Sequence, residues 1–572
     1  MGDDTRGFLA TVRSLGRQGI EVHAAPFDFR APALASRYIA AIHDIPPWMG
    51  DGSAWRTAMR TLLEAQGYDL VVPCDERNLL PLHLLRAEFE ELTRLAIPNA
   101  RAIEVLFDKH ETRELADRVG VPIARGRIAR QDDRPADVLA EFGSPVVVKP
   151  RRSYTIEGLA KRGRVHVTSD EGLLAHVLRD AEPDSLLLES CFEGDGLGLS
   201  ILAHDGRLLQ AFEHRRVHER SGSSFFRVSA APTPDLVEAC AALAAGVDYT
   251  GIAMVEFKRN ASGDWILLEV NARPWGSLPL PVALGVDFPY RWYRLLVDGA
   301  DTPPVPYRAG IFGRNVIPDL VSAVAVAETH GTHLRRAGAL LQRLAGTRRM
   351  LVNGEKQDVY VRDDPAPFRA ELSTIARSAL TRAQRLAPGQ RRAATARAQT
   401  VVSAIAAAPG PKHILFACQG NICRSPYGAA VLRQTAGEAL VVTSAGMMPR
   451  PGRSAPDLFQ AQATSEGIDL ADHRSAWLDR TSAEAASLIV LFDRVNQAAF
   501  ADRYPDLPVP TILLGDLIGV GEIDDPVDGD ASVAAASYRQ IRAGVDQLAT
   551  LLKVDGPGKT PETQQGSPPS AK

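Results

Sequence analysis

His413-Ile-Leu-Phe-Ala417-Cys418-Gln-Gly-Asn421-Ile-Cys423-Arg424-Ser425-Pro426 is the stretch on which the reading of this chain turns. Its first five residues form an apolar run of the kind that reads as a buried strand. Pro426 to Arg433 reads as a helix. Between them a cysteine is followed six positions later by an arginine and then a serine. Such a strand–loop–helix aims successive backbone N–H groups at one point, with a helix N-terminus behind them, and so makes an anion cradle. A thiol placed there meets positive potential, which favours its nucleophilic thiolate form. A guanidinium beside it grips two phosphate oxygens at once. The chemistry implied is thiolate attack on a phosphate ester.

Working outward, Thr443-Ser-Ala-Gly446 follows, then Gly467-Ile-Asp-Leu-Ala-Asp-His473-Arg474. Leu488 to Asp493 reads as another buried strand, and Asp525-Pro526 stands near the end. Together with the loop, these segments resemble the low-molecular-weight protein tyrosine phosphatases from about Lys412 to Leu552. The resemblance implies an α/β domain at 411–553 with a four-stranded parallel sheet. It makes Cys418 the nucleophile that forms a phosphocysteine, and Arg424 the ligand of the equatorial oxygens in a loose transition state. Ser425 would hydrogen-bond the departing thiolate, and Asn421 would hold the loop open through side-chain to backbone bonds. Asp525, rather than its neighbour Asp524, would protonate the leaving alcohol and then activate water. No cofactor is expected for this domain. Cys423 reads either as a reversible redox partner of the nucleophile or as a small buried apolar residue. Arsenate reductases share the loop but need resolving cysteines downstream. The five cysteines are Cys74, Cys191, Cys240, Cys418 and Cys423, so the sequence favours a phosphatase. Relatives place aromatic residues after Asp-Pro, whereas here Val527-Asp528-Gly529 follow. Phosphotyrosine protein is the substrate implied by resemblance, and a small phosphorylated metabolite is the alternative.

That domain is the last quarter of 572 residues, a length that suggests three or four domains. With 45% hydrophobic and 23% charged residues the chain reads as soluble and globular, and a net charge of −4 gives no reason to expect nucleic acid. Five cysteines without regular spacing argue for a reducing compartment and against a disulfide scaffold or zinc site. Met1 to Arg6 shows neither a signal peptide nor a myristoylation pattern. The apolar stretch Val316 to Ala327 is too short to span a bilayer and contains Asp319. The cytoplasm is the expected location.

Residues 1–100 alternate helix (Gly7 to Gln18) and strand (Ile20 to Ala24, Leu70 to Asp75), which reads as a parallel, Rossmann-like α/β layer. Gly2-Asp-Asp-Thr-Arg-Gly7 looks like a loop that follows a first strand, yet no strand precedes it. Either the sheet lacks that strand or the true start lies upstream.

Residues 101–300 hold a second constellation. Asp108-Lys109 lies near a helix start. Ser144 to Pro150 is a strand ending in Lys149, and Leu186 to Glu189 is a strand ending in a carboxylate. Ile252 to Lys258 carries Glu256, and Trp265 to Arg273 carries Glu269, Asn271 and Arg273 two apart, on one strand face. Burying such a face is costly unless something charged meets it. Oxygen ligands of this kind suit Mg2+ held between carboxylates and nucleotide phosphates, and two lysines on separate elements would clamp phosphate oxygens. The set resembles the ATP-grasp superfamily, in its carbamoyl-phosphate-synthase-like and biotin-carboxylase-like branch. By that resemblance Lys109 and Lys149 bind ATP phosphates, and Glu189 opens the adenine hinge. Glu256, Glu269 and Asn271 bind Mg2+, and Arg273 sits near the transferred phosphoryl group. Arg151 to Gly158 would be the mobile loop over the phosphates, and Pro274 to Leu280 would line the acceptor site, with Trp275 packing. Arg215, Arg216, Arg227 and Ser223 would contact phosphates or an acceptor carboxylate, or lie on the surface.

The implied reaction is ATP-dependent activation of an unnamed carboxylic acid as an acyl phosphate, then capture by an amine or thiol. The alternative is a nucleotide-binding, non-catalytic ATP-grasp domain that regulates the phosphatase. Residues 301–410 read as a basic helical linker: residues 331–400 hold fourteen Lys or Arg against five Asp or Glu. Within it, Pro388-Gly389 is expected to break two helices. Residues 554–572 read as a disordered tail.

Overall fold

A computed structural model of the chain describes residues 1–154, 159, 165–179, 184–220, 223–319, 354–386, 388–448, 452–527 and 531–554. Half of the expected phosphate loop (155–158), residues 528–530, the centre of the basic segment and the C-terminal tail lie outside the described residues. The structure forms two compact units, Met1–Thr374 and Ile375–Lys572.

The first unit begins with helix α1 (Gly7–Arg17). The Asp4 carboxylate accepts from the backbone N–H groups of Gly7 (2.7 Å) and Phe8 (3.0 Å), which pins the helix start. The helix buries Phe8, Leu9, Val12 and Leu15. Strand β1 (Val22–Ala24) pairs in parallel with β2 (Ile39–Ile42), and β3 (Leu70–Val71) pairs in parallel with β4 (Arg94–Leu95). Helix α2 (Ser53–Gln66) buries Trp55, Met59 and Leu63 and ends at Gly67, whose φ of 62° is the left-handed C-cap conformation.

Two further sheets follow, the smaller antiparallel and the larger antiparallel except for a parallel pair at one edge, Phe312–Arg314 with Glu355–Gln357. The smaller joins β5 (Gly126–Ile128), β6 (Val146–Pro150), β7 (His166–Thr168) and β8 (Leu186–Ser190) in the order β5-β8-β6-β7. The larger holds β9 (Asp195–His204), β10 (Arg207–Arg220), β11 (Ser223–Ala230), β12 (Gly251–Arg259), β13 (Trp265–Asn271), β14 (Phe312–Arg314) and β15 (Glu355–Gln357). Its order is β13-β12-β9-β10-β11-β14-β15. Helix α3 (Lys109–Arg118) packs on β13.

The stretch 301–410 therefore differs from the expected helical linker. β14 and β15 extend the large sheet, held by buried ion pairs between Arg314 and Glu355 (2.8 Å) and between Arg227 and Asp358 (2.6 Å). Arg13 of α1 pairs with Asp364 at 2.9 Å, so this segment is built into the first unit. Arg227 is thus a buried structural cation rather than a surface or ligand arginine. Helices α4 (Ala366–Leu386) and α5 (Pro388–Ala407) come next. Pro388 and Gly389, expected to lie in a break before a helix starting at Arg391, instead form the first turn of α5, where proline is tolerated.

In the second unit β16 (His413–Cys418), β17 (Val441–Gly446), β18 (Leu488–Leu491) and β19 (Thr511–Leu513) form an all-parallel sheet in the order β17-β16-β18-β19. This is the four-stranded parallel sheet expected from the sequence. Helices α6 (Arg424–Ala436), α7 (Arg494–Arg503) and α8 (Ala531–Leu552) accompany it. α5 also belongs to this core: its Ala398 and Val402 are buried with Ile541 and Leu548 of α8. Tyr427 and Tyr538 stack at 3.8 Å between centroids and lock α6 onto α8. Among the described residues no helix is long and apolar enough to cross a membrane.

Candidate active sites

The cysteine loop leaves the end of β16 and runs into the first turn of α6, which starts two residues earlier than the apolar pattern suggests. Arg424 and Ser425 are therefore helical residues at a positive helix end. Cys418 is buried, with Sγ 3.0 Å from Ser425 Oγ and receiving the Asn421 N–H at 3.3 Å. Asn421 has φ +52°, a left-handed conformation that asparagine tolerates better than most residues. Its Nδ2 donates to Ser425 Oγ (2.9 Å) and Ser444 Oγ (3.0 Å), and its Oδ1 accepts from Ala476 N (2.8 Å). His473 Nε2 donates to the Asn421 carbonyl at 2.7 Å. Gly446 of β17 permits this packing, because a Cβ there would lie 3.0 Å from the Gly420 carbonyl carbon and 3.1 Å from Asn421 N.

Arg424 is 1% exposed and held on three sides. Nη1 donates to Asp493 Oδ2 (2.5 Å) and the Ile523 carbonyl (2.9 Å), and Nη2 donates to Asp525 Oδ2 (2.5 Å). Burial opposes its charge, but Cys418, Asp525 and Asp493 together raise its pKa above the ordinary arginine value. Its Nε is buried without a partner, a donor that a phosphate oxygen would satisfy. Burial, then Cys418 and Asp525, push the Cys423 thiol well above the usual cysteine range.

All five residues expected of this site thus meet in one network: Cys418, Asn421, Arg424, Ser425 and Asp525. Asp525, not Asp524, pairs with Arg424. Val527 is half-buried and packs against the core of this unit. Sequence reasoning missed Asp493, Ser444 and His473. Asp493 was visible as an acid closing an apolar strand; its Oδ1 also caps α7 by accepting from Asn496 N at 2.7 Å.

The first unit gathers its candidates between its smaller and larger sheets. Asp108 caps α3 and ion-pairs with Arg151 (2.7 Å) and Arg152 (2.9 Å), while Lys109 N donates to the Arg151 carbonyl at 2.9 Å. Burial works against the Asp108 carboxylate, but the two arginines hold its pKa below the usual carboxylate range. This junction ties the exit of β6, which carries Lys149, to the start of α3, which carries Lys109. Lys109, Glu189, Glu269, Asn271 and Arg273 line one cleft.

The ion-pairing differs from the simple clamp. Lys149 pairs with Glu189 at 2.7 Å, and Arg113, which sequence reasoning missed, pairs with the other Glu189 oxygen at 2.9 Å. Lys109 reaches Ser153 Oγ at 3.4 Å. Across the cleft, β12 and β13 place Glu256 opposite Glu269. Asn271 Nδ2 donates to Glu256 Oε1 (3.2 Å) and Glu269 Oε1 (3.4 Å). Turning this amide would present its oxygen instead, giving three convergent oxygen donors that fit a hard cation whose shell phosphates and water complete. Arg216 forms an ion pair with Glu256. Arg273 pairs with Glu76 at 3.2 Å, a partner missed because it lies 197 residues away. Burial works against the Arg273 charge, yet Glu76, Asp75 and Glu269 hold it above its ordinary value. Trp275 is buried and packs edge-on against Phe288, as expected of a core residue.

Comparisons with known proteins agree with both halves. The family described as low molecular weight phosphotyrosine protein phosphatase matches residues 413–557. The family described as ATP-grasp in the biosynthetic pathway with Ter operon matches residues 182–315. The chain is 29% identical to a protein-arginine-phosphatase of Geobacillus stearothermophilus over 147 residues, 25% of this chain and 99% of that one. It is 31% identical to the probable low molecular weight protein-tyrosine-phosphatase EpsP of Ralstonia nicotianae over 145 residues, 25% of this chain and 99% of that one. It is 26% identical to the arginine-specific large chain of carbamoyl phosphate synthase from Bacillus subtilis over 195 residues, 32% of this chain but 18% of that one. With its cysteine cradle and its two-sheet cleft, the chain is an ATP-grasp unit fused to a C-terminal member of the low-molecular-weight phosphotyrosine protein phosphatase family.

Proposed function

We propose that the second unit hydrolyses phosphate monoesters through a phosphocysteine, and that the first uses ATP with Mg2+ to activate a carboxylic acid. The observation that carries the first half is the cradle itself: a cysteine Sγ held by a hydroxyl and a backbone N–H, beside an arginine whose Nε is buried without a partner. Cys418 Sγ attacks phosphorus, the P–O bond to the alcohol breaks, and Asp525 gives its proton to the leaving oxygen. Water then attacks phosphorus and passes a proton to Asp525, while the sulfur leaves as a thiolate stabilised by Ser425. Arg424 contacts Asp525 in the phosphate-free protein. Phosphate oxygens compete for that guanidinium, which frees Asp525 to carry its proton.

The substrate class is protein phosphotyrosine, with a small phosphorylated metabolite as the alternative. A second reading, phosphoarginine, is favoured by Val527 in place of an aromatic wall and by similarity to a protein-arginine-phosphatase. p-Nitrophenyl phosphate, a phosphotyrosine peptide and phosphoarginine compared side by side decide among them. Cys418→Ser abolishes turnover of all three, and activity that survives this substitution removes the nucleophile assignment.

In the first unit we assign domains at 1–100 and 101–300. Lys109 and Lys149 hold phosphates, Glu256, Glu269 and Asn271 hold Mg2+, and Arg273 stands beside the transferred group. Bound Mg2+ would supply charge neutralisation for phosphoryl transfer. Glu189 keeps Lys149 and Arg113 positioned at the cleft wall. Mg-ATP is expected to raise the melting temperature of this unit, and Glu269→Ala to remove the rise. ADP release on addition of carboxylic acids with amines or thiols distinguishes a ligase from a nucleotide sensor.

A further inference from the structure

Helix α4 is anchored by its first turns and exposed beyond them. Pro367 is buried, and Phe368 packs against the cluster that holds Phe8 and Val12 of α1. The Phe368 ring meets Tyr360 edge-on, with centroids 5.6 Å apart. From Leu372 to Arg377 every residue is exposed. Leu372 is 44% exposed, Ile375 43%, and Tyr360, beside Phe368, 44%.

These exposed apolar side chains are not scattered. Phe368, Leu372 and Ile375 stand four and then three residues apart, which places them in one stripe of the helix. The sequence keeps that spacing through Ala379, Ala383 and Leu386. Exposed Arg369 and Arg377 lie on the same helix, and exposed Arg362 lies close to Tyr360 in the chain. α4 contains four arginines and α5 three, against a single acid, Glu371. Glu371 does not offset them at the surface, because one of its carboxylate oxygens is enclosed.

This combination selects among partners. A nucleic acid would be held through its phosphates by the arginines and would leave the apolar stripe in water. A second copy of the chain would cover the stripe but set the same arginines against each other, since a two-fold contact repeats one patch on both sides. An anionic bilayer surface satisfies both features. Leu372, Ile375 and Tyr360 can enter the boundary between headgroups and acyl chains, while arginines lay their stems along that boundary and keep their charges among lipid phosphates. With four arginines in 21 residues the helix would lie in the interface and not cross it.

We infer that α4 is a lipid-surface helix that docks this chain on an anionic bilayer, with the Leu372 and Ile375 stripe facing the acyl chains. The inference is independent of the reactions proposed for the two units.

The test is co-sedimentation of the full chain with vesicles of phosphatidylcholine alone or of phosphatidylcholine and phosphatidylglycerol in equal parts. The wild-type protein is expected to bind the mixed vesicles at least about tenfold more tightly than the neutral ones, and to lose that margin as salt is raised. The double variant Leu372→Ser/Ile375→Ser is expected to bind the mixed vesicles about tenfold less tightly. Both residues are exposed, so its p-nitrophenyl phosphate turnover and melting temperature should match the wild type. Arg369→Gln/Arg377→Gln, a second surface variant, should weaken binding to the mixed vesicles and leave binding to the neutral ones unchanged. Equal wild-type binding to the two kinds of vesicle overturns the inference. Undiminished binding by Leu372→Ser/Ile375→Ser also overturns it, since adhesion would then rest on charge alone. So does a wild-type dimer, seen by sedimentation velocity without vesicles, that the same variant disperses, because the stripe would then be a contact between copies.

Discussion

In the proposed mechanism Asp525 divides its carboxylate between proton transfer and the pair with Arg424, and substrates with different leaving groups separate the two. Phenoxide is a poor leaving group that needs a proton, whereas p-nitrophenoxide scarcely does. Asp525→Asn is expected to lower kcat for phenyl phosphate by about 10²–10⁴-fold, with a clearly smaller loss for p-nitrophenyl phosphate. Equal losses for the two would mean that Asp525 acts only by placing Arg424. Asp493 is likewise double, with one oxygen on Arg424 and the other on the cap of α7. Asparagine is a good cap, so Asp493→Asn isolates the charge, and Asp493→Ala is expected to cost about 1 kcal/mol more in urea unfolding of the second unit. The contiguous members of this site were legible in sequence because one turn of chain carries them. Asp493, Glu76 and Arg113 were not, because their partners lie 69, 197 and 76 residues away. An ion pair closed by tertiary packing leaves no local pattern.

At the scale of elements, the cradle depends on its neighbours β17 and the segment around His473. Gly446→Ala puts a methyl against backbone atoms of the loop. It is expected to cost about 1–3 kcal/mol and to lower phosphatase activity more than a core substitution of equal cost elsewhere in the sheet. His473 carries a pH signature. Burial first, and then Arg433 and Arg474, lower its pKa below 6.5 despite the bond to Asn421. A histidine whose folded value is depressed binds more protons unfolded, so its contribution is full above the unfolded pKa and is lost as pH falls below about 6.5. The urea midpoint of the second unit is therefore expected to fall on acidification from pH 7 to 5, and His473→Gln to flatten that fall. Elements were legible where they were long or strongly apolar, as in α1, β12, β13, β16 and β18. β14 and β15 were not, because three residues are too few to show a period and their stability comes from Arg314, Glu355, Arg227 and Asp358.

At the scale of the whole molecule, two compact units each hold one of the two candidate sites. Calorimetry of the intact chain is expected to show two transitions. Mg-ATP should move the first unit's transition and orthovanadate or inorganic phosphate the second's, each by the mass action of a ligand that binds only the folded form. Truncation at residue 374 should leave the nucleotide response in place.

The pairing of Arg216 with Glu256 has a consequence for how the nucleotide site fills. On the proposed reading, the face that would hold Mg2+ carries a tethered competitor, a guanidinium paired with one of its carboxylates. Loading is then an exchange rather than a simple addition. Arg216→Met should tighten the capture of free Mg2+ or Mn2+ while making the empty face less stable, so the wild-type residue would trade resting affinity for a site that stays folded without its ion. Because phosphates arriving with the metal would give the displaced guanidinium a new anionic partner, the ion should bind with nucleotide far better than alone.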